Sequence, residues 1–100
     1  MAAEFRVTTE TLKNKRGDLQ GLNNKFKAQL EKMDGTQHEL SGMWEGDASK
    51  GFEKSYKQDA NKMRQLHAAV EEYCRALDTI IKQYETAEKK NVSIASNRTY

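Results

Sequence analysis

Tyr84 and Glu88 stand four residues apart, a spacing that on a helix sets a phenol and a carboxylate on one face, where both can meet a single receptor. Other reactive side chains are scattered. His38, His67 and the single cysteine, Cys74, fall in no His-x-x-x-His or Cys-x-x-Cys spacing of the kind that holds a metal, and both histidines read as surface residues. Glu71 and Glu72 are adjacent, and adjacent side chains diverge around a helix, so they do not converge as an acid–base pair. Cys74 excludes an intramolecular disulfide; it reads as a small side chain at the margin of a helix stripe, with an interchain bridge or a reactive thiol as the alternative. Asn91-Val92-Ser93 and Asn97-Arg98-Thr99 fit the glycosylation sequon, which matters only in a secretory pathway. No catalytic set, cofactor motif or metal-ligand set is present, so a non-enzymatic protein without cofactors is expected.

The elements that position these residues follow from composition and period. One hundred residues suit one domain, and 36% hydrophobic with 32% charged residues and no proline describes a chain rich in helix formers that nothing interrupts. The net charge of +2 is dispersed: six basic residues face five acidic ones between Thr8 and Gly42, and nine face eight between Asp47 and Lys90. Alternating signs solvate a helix surface, whereas phosphate recognition needs a concentrated basic face, so nucleic acid is excluded as a partner. The N-terminal ten residues lack the apolar core of a cleavable signal peptide, and no stretch has the length of a membrane span.

Phe5, Leu12, Leu19, Phe26, Met33 and Leu40 recur every seventh residue and mark one helix stripe, widened by Leu22 and Leu30. Lys15, Gln29 and Thr36 occupy the companion positions, which leaves the seam narrow. Thr8 is placed to cap this helix, with Val7 and Leu12 at staple spacing and Glu10 in the first turn. Asp34-Gly35 is a weak point in its interior. The second half carries two series, Tyr56-Met63-Val70-Leu77-Tyr84 and Phe52-Asp59-Leu66-Tyr73-Ile80-Ala87, a full seam interrupted only by Asp59 and broadened by Ile81. Asp47 or a neighbour caps its start, and Lys89 and Lys90 suit its end. The pattern predicts helix 1 over about 8–42, a bend at 43–47 around Trp44 and Gly46, helix 2 over about 48–90, and a flexible tail over 92–100.

The expected fold is all-α: an antiparallel helix-turn-helix hairpin. The second half has more apolar residues than one narrow stripe can cover, so two hairpins are expected to pack into an elongated four-helix bundle. Leu12, Leu19, Phe26, Met33, Leu40, Phe52, Met63, Leu66, Val70, Tyr73, Leu77 and Ile80 form the expected hairpin and dimer core.

Trp44-Glu45-Gly46 between two amphipathic arms, in a chain of this length without a signal peptide, resembles the WXG family of small type VII secretion substrates, also called the early secreted antigenic target family. The likeness covers nearly the whole chain. Tyr84-Glu85-Thr86-Ala87-Glu88 is similar to the family's Tyr-x-x-x-Asp/Glu export signal. The resemblance implies a protein made in the bacterial cytoplasm, secreted without a cleavable leader and associated with virulence, which acts as dimeric substrate and export partner. Its implied partners are a second copy, as an antiparallel homodimer, or a paralogous WXG protein, together with a type VII secretion ATPase; membrane contact is compatible but not required. Tyr84 and Glu88 would then be the export signal, and Trp44 and Gly46 the bend that completes a composite surface. Tyr84 also fits as the last layer of the core, and Trp44 as an aromatic plug. A cytoplasmic coiled-coil adaptor and a membrane-active helical effector are the alternative functions.

Overall fold

A computed structural model describes residues 8–97, with side chains up to residue 92. Phe5 and the last three residues of the expected tail lie outside the described residues. Helix α1 spans Thr9–Met43 and helix α2 spans Asp47–Asn97, with no strand among the described residues. Thr8 caps α1 as expected: its backbone is extended (φ −99°, ψ 162°), its Oγ1 accepts from the Thr11 N–H at 3.1 Å, and Glu10 lies in the first turn. The helix passes through Asp34-Gly35 unbroken. Asp34 is instead a tether to α2, where it accepts from Tyr56 Oη at 2.6 Å and from Arg64.

The second helix corrects one expectation. It does not stop near Asn91 but continues through Asn97, so residues 92–97 of the expected tail are helical. No proline or glycine follows Gly51, and once a helix is nucleated each further residue gains one hydrogen bond for the one residue it fixes, where the first turn had to fix several. The two helices form an antiparallel hairpin with a Cα radius of gyration of 22.8 Å, against about 13 Å for a compact chain of this length. Such a rod has little interior.

That interior is drawn from residues the apolar pattern did not select. In α2 the series facing α1 is Glu53-Ala60-His67-Cys74-Ile81-Glu88, and in α1 it is Thr9-Arg16-Asn23-Leu30-Gln37. Leu30, Ala60, Cys74 and Ile81 are its buried apolar members, joined by Thr9 and Asn23. Cys74, expected at a stripe margin, is wholly inside (0% exposed). His67, expected at the surface, is only half-buried, but its Nε2 is buried without a hydrogen-bond partner, 3.6 Å from a Glu71 oxygen.

The expected core residues divide. Leu12, Leu19, Phe26, Leu40, Met63, Val70 and Leu77 are half-buried along one edge of the seam. Met33, Phe52, Leu66, Tyr73 and Ile80 are exposed within the hairpin and do not build its core. The physical reason is closeness of approach: Ala60 and Cys74 are small enough to let the helix axes come together, and the polar α1 series reaches across to carboxylates that bulky side chains would hold at a distance.

Candidate functional site

The bend is built by three local contacts. Trp44 leaves α1 in an extended conformation (φ −123°, ψ 116°) while its N–H still donates to the Leu40 carbonyl at 3.0 Å. Gly46 has φ 113°, in the region L side chains rarely adopt, and its carbonyl accepts from the Lys50 N–H at 3.2 Å to start α2. Ser49, buried, donates its hydroxyl to the Trp44 carbonyl at 2.8 Å. The indole is thereby held against Phe52, with ring centroids 5.7 Å apart and planes tilted by 48°, and stays 37% exposed. Trp44 is half plug and half surface.

At the opposite end, Tyr84 is 42% exposed and Glu88 is exposed too. They are neighbours on α2, as the spacing requires, but the Glu88 carboxylate already accepts from Thr9 Oγ1 at 2.7 Å. Beside it Lys13 Nζ meets Glu85 at 2.9 Å. Thr9, Lys13, Glu85 and Glu88, but not Tyr84, line an open cleft of about 820 Å³ between the start of α1 and the far part of α2. Thr9 was not legible as a site residue, because a lone threonine next to a cap carries no apolar or charge signal. The seven-residue offset from Arg16, Asn23 and Leu30 was the available clue.

Between the two ends, polar pairs set the alignment of the helices. Arg16 donates to both Asp78 oxygens at 3.0 and 3.1 Å, a bidentate contact that raises the guanidinium pKa further above its ordinary value. Gln20 and Asn23 both donate to Glu71 Oε1, at 3.0 and 3.1 Å, and hold that carboxyl below the usual carboxylate range; Asn23 also donates to the His67 carbonyl at 3.1 Å. The Tyr56 hydroxyl, then Arg64, lowers the Asp34 carboxyl in the same way, while burial raises the Tyr56 phenol.

This framework holds the sequence-predicted site residues as two separate groups. Trp44 and Gly46 meet at the bend, and Tyr84 and Glu88 lie about 55 Å away along α2 at 1.5 Å per residue. One chain does not bring them together. Among the described residues no cluster of His, Cys, Asp and Glu has the arrangement to hold a metal ion, and no helix is long and apolar enough to cross a membrane.

A helical hairpin bent at Trp-x-Gly defines a recognised class. Residues 4–89 match the WXG100 family, described as proteins of 100 residues with WXG, and the chain belongs to that family. No curated protein and no solved structure matches it. Members of the family are known as small secreted helical proteins of type VII secretion that typically pair with WXG partners and are not enzymes.

Proposed function

We propose that this chain acts without catalysis, as an antiparallel homodimer that a type VII secretion ATPase exports folded, and that it serves both as substrate and as export partner. The observation that carries this reading is the face the hairpin leaves open. Leu22, Met33, Phe52, Leu66, Tyr73 and Ile80 are exposed along one side, and an apolar strip of that kind, interrupted by Asp59, marks a surface meant to be covered. A second hairpin laid antiparallel covers it with the same strip. It also places the bend of one subunit beside the far end of the other, so that Trp44 and Gly46 complete a surface with the partner's Tyr84 and the partner's Glu88. Only the dimer then displays the whole signal. The polar faces carry both signs of charge, which argues for export recognition by protein and against action on an anionic bilayer.

The test is secretion of single variants in a cell with an active type VII system, with helicity and dimer mass measured on the same proteins. Tyr84→Ala and Glu88→Ala are expected to disappear from the culture supernatant while helix and dimer persist. Thr9→Ala is the informative control, because it removes the hydrogen bond to Glu88 and leaves the carboxylate in place. Its normal export would assign the signal to the carboxylate itself; failure of Thr9→Ala alongside Glu88→Ala would make Glu88 a structural residue and remove it from the signal.

A further inference from the structure

Two seven-residue series on the open face carry one cation and one anion between them, and Lys32 borders the larger cleft of that face as a further cation. The series are Lys15-Leu22-Gln29-Thr36-Met43 in α1 and Phe52-Asp59-Leu66-Tyr73-Ile80-Ala87 in α2. Leu22 and Leu66 line one cleft of about 220 Å³, while Thr36 and Phe52 line another of about 380 Å³, so the two series share a face. Lys15 and Asp59 are the only charged members of these series. Both are exposed. Lys15 makes only a loose 3.9 Å contact with Asp18, with the two side chains 76% and 69% exposed, and a pair so solvated contributes almost nothing. Asp59 has no ion-pair partner among the described residues.

Within one hairpin these charges never meet. Arg16 pairs with Asp78, so Lys15 lies level with Thr79, roughly 30 Å along the axis from Asp59 at 1.5 Å per residue. Covering the face with a partner buries both, and a buried charge without a counter-charge is costly. A two-fold dimer resolves this for both at once, since a residue that contacts its opposite number in the partner is contacted by it in return.

We infer that this chain homodimerises in the register that sets Lys15 of each subunit against Asp59 of the other, an inference that rests on the homodimer reading above. The level midway between Asp59 and Thr79 is that of Ala69 and Val70. An independent feature lies there: the cleft lined by Leu19, Leu22, Phe26, Leu66 and Val70, which the two-fold axis then crosses, so that its apolar walls meet their own copies. Reflection through the same level carries Tyr84 to the level of residue 54, between Phe52 and Tyr56. The phenol of one subunit therefore lies beside the larger cleft near the partner's bend, where Met33, Leu40, Phe52 and Tyr56 offer apolar walls. One register satisfies the charges, centres the apolar cleft and seats Tyr84.

The experiment uses Lys15→Glu and Asp59→Lys, each alone and the two mixed. Each single variant sets like charges against each other twice per homodimer, and its dissociation constant is expected to rise about tenfold or more. Mixing them restores two attractive pairs, so mixed dimers are expected to dominate in native mass spectrometry with one variant mass-tagged. A change acting inside one hairpin cannot produce that rescue. Statistical mixing, or single variants that dimerise like the wild type, overturns the register while leaving the homodimer intact. A wild-type chain that is monomeric at micromolar concentration by light scattering, or that dimerises only with a different WXG protein, overturns the homodimer reading itself and the register with it.

Discussion

The two faces of α2 make opposite use of their side chains. Toward α1 it presents Ala60, Cys74 and Ile81 between carboxylates that take hydrogen bonds from Thr9, Arg16, Gln20 and Asn23; away from α1, and turned to one side, it presents Phe52, Leu66, Tyr73 and Ile80. The inner contact is close, directional and poor in apolar area. The outer face is rich in area and has no partner in the hairpin. Hydrogen-bonded pairs contribute modestly to net stability but discriminate strongly between alignments, whereas apolar area contributes most of the free energy and little direction. The inner seam therefore sets the register of the hairpin, and in the proposed homodimer the outer face would supply the driving force for association.

On that division the largest effect belongs to Ile81→Asp, which buries a carboxylate in the seam where Lys13 and Arg16 of α1 are already paired with Glu85 and Asp78. It is expected to cost about 3–5 kcal/mol and to remove helix and association together in a thermal circular-dichroism scan. Leu66→Asp introduces the same charge on the outer face, where Leu66 is 54% exposed. It is expected to abolish the dimer by light scattering while retaining more helix than Ile81→Asp at the same concentration. Equal helix loss in the two variants would show that the faces are not energetically separate.

The bend sharpens the comparison at a smaller scale. Nothing lies within 4 Å of a Cβ built on Gly46, so Gly46→Ala acts only through its positive φ and is expected to cost about 1–3 kcal/mol in a denaturant titration. Trp44→Ala, losing a partly exposed ring stacked on Phe52, is expected to cost about 1–2 kcal/mol, and quenching of the wild-type indole should be intermediate between free and protected. The smallest effect is that of acid on the inner seam. The Asp34 and Glu71 carboxyls are held below their ordinary values, so their contribution is complete above the unfolded-state carboxylate range and is lost as pH falls through and beneath it. Melting temperature should fall over that window, and less so in Asp34→Asn, which has already given up its share; a pH-independent melt would remove these carboxylates from the account of the seam.

Much of the architecture is local and so was legible in the residues. A chain without proline, a seven-residue apolar repeat, a threonine cap at Thr8 and a glycine two residues after Trp44 determine two helices and the place where they reverse, because capping, helix propensity and positive φ depend on neighbours a few residues away. The choice of inner face was not local. Three adjacent series compete on α2, and apolarity favours those of Tyr56 and Phe52 over Glu53-Ala60-His67-Cys74-Ile81-Glu88. Only the pairing across the hairpin decides it, through Thr9 with Glu88, Arg16 with Asp78 and Asn23 with Glu71, each joining residues from opposite halves of the chain. The same long-range contacts turned Cys74 from a margin into the centre of the seam. They also engaged Glu88 with Thr9, because hydrogen bonding and close packing are properties of pairs of segments, and hydropathy is a property of one.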